Sequence, residues 1–427
     1  MHQEKILEGS DDATRPVSLF RHADFMKLWT GETISEFGSF IGGPALGFAA
    51  VITLAATPLQ MGVLSAAQIA PGLLFSLFAG VWVDRLRRRP IMIWADIGRT
   101  LILLTIPLAA LAHALAMPQL YVVSFAASAL DIFFRIAYSA YLPTLVGRAE
   151  VLDANSKLTA SSAVAEVGGF ALAGWLVQWV TAPFAIAIDA VSFLASAVAL
   201  RVISRPEQLD ERTNTRRQML SEAADGARFI AGDSRLLTMG IATTIQMLFD
   251  RILGSLYMLF VVNALGFKPG VLGVIFAIGG VSSFFGAIAA QRAAARFGAK
   301  RAMVTGIVIT AVGQMFIPMA RGAGRYGAAM LIAHQLIADG ALTVFIVNYA
   351  SFVQKVTPDE VLGRVNACFM FARRIAALSG SLLGGVLGAT LGLRIPLVIA
   401  ALGTLVTASM LATLPRGEAS VESRAVK

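Results

Sequence analysis

Four pairs of polar residues in this chain share one spacing. Glu32 and Glu36, Asp131 and Arg135, Gln246 and Asp250, and Gln335 and Asp339 each stand four residues apart inside an otherwise apolar run. At that spacing both members of a pair sit on one helix face, one turn apart. Two carboxyl groups held on one face disfavour double ionisation, and a carboxyl that keeps its proton near neutral pH can carry it elsewhere. That makes Glu32 and Glu36 candidates for proton coupling. Asp131 and Arg135 can pair, either as a helix-stabilising ion pair or as part of a polar cavity wall. Arg251 directly follows Asp250, so their side chains should point in different directions.

Other ionisable residues lie deep in apolar runs and have blander readings. Arg99 is one of them. Arg373 and Arg374 suit pairing or snorkelling more than ligand binding. Glu166 and Asp189 suit packing or hydrogen bonding. Phe133, Phe134 and Phe249 suit packing, although a cavity could use them for an apolar ligand. The glycines of two runs, Gly279, Gly280 and Gly286, and Gly380, Gly384 and Gly388, let helices approach closely. The charges of GVWVDRLRRRPI, residues 80–91, fall in a short gap between two apolar runs.

Several chemistries are excluded or disfavoured. GxxxxGK[ST], HExxH and GxSxG are all absent, so ATP-driven transport and common hydrolytic chemistry have no motif to rest on. Cys368 is the sole cysteine, which rules out an internal disulfide and a thiolate cluster. Four scattered histidines offer little for a metal site, and no cofactor is expected. The net charge of +9 is explained by membrane orientation and anionic headgroups without nucleic acid.

The elements that must hold the pairs are membrane-spanning helices. The chain of 427 residues is 57% hydrophobic and 14% charged, against about 25% charged in soluble domains. Twelve apolar runs are long enough to cross a bilayer: 27–54, 60–83, 91–113, 119–145, 155–179, 182–203, 236–263, 270–291, 302–320, 326–353, 365–390 and 395–414. They lack the alternation of barrel strands. The four pairs fall on spans one, four, seven and ten, which are equivalent positions in a three-helix subrepeat. The expectation is one shared central cavity.

Lysine and arginine set the orientation. Of 35, only Lys268, Arg321, Arg325 and Arg394 lie in odd-numbered gaps, while 23 lie in even-numbered gaps and the two tails. By the positive-inside rule both termini are cytoplasmic. The expected organisation is a tail (1–26), a six-helix bundle (27–203), a linker (204–235), a second six-helix bundle (236–414) and a tail (415–427). The first tail lacks the pattern of a cleavable signal, so span one is read as an uncleaved insertion signal. LSEAADGARFIAG in the linker could form a short surface helix. RAEVLDANSKLTA at 148–160 and TPDEVLGRVNACFMFA at 357–372 are internal repeats, as are RLRRRPIM and RFGAKRAM. The fold class is therefore an all-α membrane protein of two pseudo-symmetric six-helix bundles.

These stretches carry a resemblance. GVWVDRLRRRPI resembles the G-x-x-x-D-R-x-G-R-R loop of the major facilitator superfamily: Gly80, Asp84, Arg85, Arg88 and Arg89 fit, and Arg87 stands where glycine is usual. The second copy, QRAAARFGAKR, has Gln291 for glycine and Ala295 for aspartate but keeps Arg296, Gly298, Lys300 and Arg301. LFRHADFMKLWTGETIS, LPTLVGRAEVLDAN, DAVSFLASA and TPDEVLGRVNA are similar to the drug:proton antiporter-3 group, which includes macrolide, tetracycline and enterobactin exporters. Three positions depart from it. Glu32 stands where glutamine is common, GGFALAG replaces a G-P-x-x-G-G signature, and Ser139 replaces the glycine of R-x-x-x-G.

The resemblance implies a monomeric, proton-coupled exporter in a bacterial inner membrane, moving a small amphipathic drug, secondary metabolite or siderophore by alternating access. It also implies that Asp84 meets the N-terminus of span eleven and latches the halves on the cytoplasmic side. An importer, a lipid transporter, a channel and a non-transporting receptor are the other readings, and a membrane enzyme is disfavoured by the absence of a catalytic constellation.

Overall fold

A computed structural model describes residues 19–205 and 216–414. The outer parts of the expected tails, 1–18 and 415–427, and 206–215 of the expected linker lie outside the described residues. The first set of helices is α1 (Ala23–Phe48), α2 (Pro58–Arg85), α3 (Arg88–Leu111), α4 (Met117–Val146), α5 (Val151–Val180) and α6 (Ala182–Arg201). A non-spanning helix, α7 (Arg216–Gly232), follows. The second set is α8 (Ser234–Leu259), α9 (Pro269–Phe297), α10 (Ala299–Met319), α11 (Arg325–His334), α12 (Gly340–Val356), α13 (Asp359–Leu391) and α14 (Arg394–Ala412). A π-turn, Gln335–Asp339, joins α11 and α12 into one span, and π-turns Ala49–Thr53 and Phe260–Ala264 end spans one and seven. Among the described residues, twelve helices are long and apolar enough to cross a membrane, one on each expected run.

Local signals explain the boundaries. Thr57 and Gln60 form a reciprocal capping box ahead of Pro58, the first residue of α2. Pro269 opens α9 in the same way. The two internal repeats differ at one backbone position. Gly298 takes φ +81° at the turn into α10, a conformation that disfavours side chains, whereas Arg87 holds φ −64° before α3. The arginine that departs from the family loop therefore sits in an ordinary extended turn.

Within the first half α1 packs on α5 and α6, and α3 on α4 and α6. The second half repeats this with α8 on α13 and α14, and α10 on α12 and α14. Between halves, α2 lies along α13 and α5 along α9. A side chain on Gly62 would come within 2.9 Å of the Gly385 backbone, and one on Gly174 within 2.8 Å of the Gly273 backbone. Gly62 and Gly273 each follow the opening proline of their helix by four residues, and Gly174 and Gly385 each follow the repeat's asparagine by nineteen. The two contacts are thus one contact made twice. Gly380, Gly384 and Gly388 turn to α8, and a side chain on Gly388 would also meet Pro58.

The apolar core is divided unevenly. One buried cluster draws on both halves, from Ile41 and Phe48 to Leu256, Phe260 and Leu272, at the end bearing the odd-numbered connections. At the other end each half keeps its own cluster, around Phe25, Met92 and Tyr141 in one and Leu236, Met303 and Phe369 in the other. Among the described residues, the halves share a buried cluster at the face of the odd-numbered connections and keep separate ones at the face of the even-numbered connections.

That face is also tied down by caps. Arg89 donates from Nε to the Leu200 carbonyl at 2.8 Å and from Nη2 to the Arg201 carbonyl at 2.5 Å, closing the end of α6. Lys300 occupies the matching position of the second repeat and donates to the Leu414 carbonyl beyond α14. Asp24 accepts from the backbone of Ser204 and Arg205, at 3.1 and 3.0 Å, and holds the chain leaving α6 against α1. α7 contains the expected surface helix and rests on α13, where a side chain on Gly226 would meet the Arg364 carbonyl at 2.9 Å. Asp233 accepts from the Arg235 backbone at 2.8 Å ahead of α8, and the Arg235 side chain holds its carboxyl below the usual carboxylate range.

Candidate functional site

Charged residues of α3 and α4 meet in one row. α3 carries Asp96 and Arg99 one turn apart, and α4 carries Asp131 and Arg135. Arg99 Nη2 donates to Asp96 Oδ1 at 2.5 Å and its Nη1 to Asp131 Oδ1 at 3.1 Å. Arg135 Nε donates to the other oxygen of Asp131 at 2.7 Å. Signs alternate along this row, and so does access to water: side-chain exposure rises from 0% at Asp96 through 7% and 33% to 73% at Arg135. The guanidinium of Arg99 lies between the Phe134 and Phe193 rings, 4.6 and 4.1 Å from their centroids. Arg99 Nε nevertheless has no hydrogen-bond partner, while Ser196 approaches the Asp96 carboxyl. A buried ionic row left partly unsatisfied is poor value as a stability device, which points to a use in function.

The exposed end of the row opens into a cavity of about 270 Å³. α1 supplies Glu32, Thr33 and Glu36, and α4 supplies Phe134, Arg135 and Tyr138. The third wall is α5, with Asn155, Thr159 and Ser162 among its residues. Glu32 and Glu36 are half-buried, and among the described residues neither forms a hydrogen bond or an ion pair. Trp29 bonds through Nε1 to Ser161 Oγ at 2.9 Å and fixes α1 against α5.

Of the pairs on spans one, four, seven and ten, the first two stand at this cavity. Glu32, Glu36 and Arg135 line the cavity, with Asp131 bound behind Arg135. Gln246, Asp250, Gln335 and Asp339 do not line it. Gln246 is buried on α8 with Oε1 unpartnered. Asp250 and Arg251, expected to diverge, curl together to 3.6 Å, because both stay half-buried and neighbouring charges of opposite sign attract in low dielectric. Gln335 and Asp339 bracket the π-turn and pack onto α9. A side chain on Gly279 would meet Asp339 Oδ2 at 2.3 Å and Gln335 Nε2 at 2.6 Å. Gln335 also donates to the Ile275 carbonyl at 3.3 Å. Ser282 stitches the turn, donating to the Leu336 carbonyl at 2.7 Å and accepting from the Gly340 N–H at 3.1 Å. Asp339 lies within electrostatic range of Asp250 and of Glu166, and Glu166 within range of Glu36.

The loop motif divides by role. Gly80 has open space where a side chain would be, and Arg85 is exposed at the end of α2. Arg88 opens α3, and Arg89 is the α6 cap. Asp84 lies in the last turn of α2, with its side chain outside the described part. Arg374 reaches across the interface to the Gly72 carbonyl, and Arg373 lies 6.0 Å over the Tyr349 ring, so each pairs within the protein. Asp189 is buried against Gly42 and accepts weakly from Ser39 at 3.4 Å. Asp96 and the hydroxyl wall of α5 were not singled out from sequence. The three-residue step from Asp96 to Arg99 was the available signal for the first.

A family profile described as "Transmembrane secretion effector" matches residues 14–426. An uncharacterized MFS-type transporter of Bacillus subtilis (strain 168), YfiS, is 26% identical over 374 residues, 85% of this chain and 86% of that protein. A second uncharacterized MFS-type transporter, y4rN of Sinorhizobium fredii, is 25% identical over 72% of this chain and 75% of its own length. Among solved structures, a mutant of the nucleoside transporter NupG superposes with a TM-score of 0.77 at 13% identity, covering 92% of this chain and 100% of its own. A bacterial homologue of the iron transporter ferroportin, in an inward-facing state, gives 0.76 at 17% identity over 93% and 99%. These structures share the major facilitator fold with this chain. The profile covers nearly the whole sequence, and the fold agrees with it: this chain belongs to the transmembrane secretion effectors, membrane transporters of the major facilitator type.

Proposed function

We propose that the protein is a proton-coupled exporter of a small amphipathic compound, working by alternating access in a bacterial inner membrane with both termini in the cytoplasm. The observation that carries this reading is the pair Glu32 and Glu36, facing one cavity without an ion-pair partner among the described residues. Carboxyl groups so placed exchange protons with the cleft, and the row from Arg135 to Asp96 links their charge to the interior of the first half. The positive-inside bias supports the orientation, since the face on which the halves keep separate cores is the face rich in lysine and arginine. Substrate then enters from the cytoplasm, and closure of that face moves it out. Asp84 is the proposed latch of the closed state.

The test is transport in inverted vesicles under an imposed pH gradient. Glu32→Gln and Glu36→Gln should each lower gradient-driven flux by about tenfold or more, as loss of a positioned proton carrier does. Flux equal to wild type in both variants overturns the assignment. Flux in the opposite sense under the same gradient selects the importer reading. Asp84→Asn should lower flux while leaving the amount of protein in the membrane unchanged; unaltered flux returns Asp84 to a topological role.

A further inference from the structure

The two boundaries between the halves are equivalent in position and different in chemistry. Four residues before Gly174 on α5 stands Phe170, and three after Gly273 on α9 stands Phe276. The same steps from Gly385 on α13 and Gly62 on α2 reach Ser381 and Ser65. Phe170 and Phe276 meet edge to face with ring centroids 6.4 Å apart. Ser65 and Ser381 meet Oγ to Oγ at 2.9 Å. Farther along α13, Arg374 donates to the Gly72 carbonyl of α2. The equivalent residues on α5 and α9 are Ala163 and Ser283, and alanine has no donor to offer. Among the described residues, the hydrogen bond between α5 and α9 lies at their outer end, where Gln178 Oε1 accepts from the Gly270 N–H at 3.1 Å. Gln178 is exposed there, so water can take its place.

We infer that the face of the odd-numbered connections opens asymmetrically: Phe170 parts from Phe276 along α5 and α9, while Ser65 and Ser381 keep α2 and α13 joined as the hinge. A hydrogen bond broken away from water leaves its donor and acceptor unpaired, and that cost falls on α2 and α13 if they separate. A ring contact has no such penalty, because each ring can trade its neighbour for another apolar surface. The Phe170–Phe276 contact also belongs to a longer chain of rings. Phe40 of α1, Phe170, Phe276, Tyr257 of α8 and His334 of α11 follow one another at 5.4, 6.4, 5.8 and 5.9 Å. The step from Phe170 to Phe276 is the one that crosses from one half to the other. Parting it leaves a pair of rings on one half and three on the other, with each group still packed. From the functional reading the inference takes only that the halves move relative to each other.

Spin labels read both boundaries separately in a Cys368→Ser background, since Cys368 is the sole cysteine. Val180→Cys with Val271→Cys straddles α5 and α9, and Leu59→Cys with Leu391→Cys straddles α2 and α13; all four positions are exposed. Distances are measured by double electron–electron resonance on the full-length protein in nanodiscs, with no ligand and no gradient. Phe170→Ala should raise the ratio of long to short distances across α5 and α9 by about two- to tenfold, the worth of one aromatic pair. Phe170→Tyr keeps the ring and should match the protein with Phe170 intact. Across α2 and α13 the distance should stay short in all three. Phe276→Leu removes the partner ring and serves in place of Phe170→Ala if that variant is not monodisperse. Lengthening across α2 and α13 as large as that across α5 and α9 overturns the inference. So does an unchanged distribution across α5 and α9 once either ring is removed, or a shift in Phe170→Tyr as large as in Phe170→Ala. No flux enters the measurement, so failure of proton coupling leaves the seam standing, and failure of the seam leaves proton coupling to its own test.

Discussion

Gly62 and Gly385 meet backbone to backbone across the boundary between the halves, and their contact sits at the end where the two halves share a core. Gly174 and Gly273 repeat the contact on the opposite side. Together they are two points of close backbone approach between the halves.

Filling one of these points should wedge the shared end apart. Gly62→Leu places carbon atoms where the Ser381 carbonyl and the Gly385 backbone now stand, at 2.7 and 2.9 Å from a first side-chain atom. Overpacking of that kind costs about 1–3 kcal/mol. Distances between spin labels on the two halves at that end should lengthen, and transport should fall. Gly43→Ala is the control, because a side chain there meets nothing within 4 Å. Identical label distances in both variants would show that the contact is not a pivot.

Stability and function should come apart along the ionic row. Arg99 is almost fully buried between two acids and two rings, and Arg99→Ala leaves Asp96 as a buried charge without its cation. Removal of one member of such a pair costs about 3–5 kcal/mol. Arg135 is 73% exposed, and Arg135→Ala should cost no more than about 1 kcal/mol. Thermal unfolding in detergent, read by tryptophan fluorescence, measures both. Transport is expected to fall in both, so Arg135→Ala isolates the functional contribution.

The matching caps predict matching losses. Arg89→Ala frees two carbonyl groups at the end of α6, and Lys300→Ala frees one beyond α14. Each should cost about 1 kcal/mol, and Arg89→Lys should recover part of its loss. The two sites are in different halves with no shared partner, so the double variant should show the sum of the single effects. A loss confined to one half would mean that the pseudo-symmetry of the repeats does not extend to their energetics.

The membrane-spanning architecture was legible because it rests on quantities that sum along the chain. Twelve apolar runs and a one-sided distribution of lysine and arginine survive errors at single residues. The cavity was only half legible. Spacing places Glu32 with Glu36 and Asp131 with Arg135 on helix faces, but it does not say which face a helix turns inward. In span ten that choice is altered by the π-turn, which adds a residue between Gln335 and Asp339 and rotates everything beyond it. It is then set by Gly279, whose missing side chain lets Asp339 settle on α9. Neither effect has a periodic signature. Asp96 escaped notice for a different reason. Alone in its run it reads as half of a local pair with Arg99, and only the packing of α3 on α4 joins that pair to Asp131.

The anchors on either side of the connection between halves have a mechanical consequence. Asp24 pins Ser204 and Arg205 to the first half, and α7 is seated on α13 of the second. The segment leaving α6 therefore travels with the first half and α7 with the second, so a rocking motion of the halves separates two surfaces that are each fixed to their own bundle.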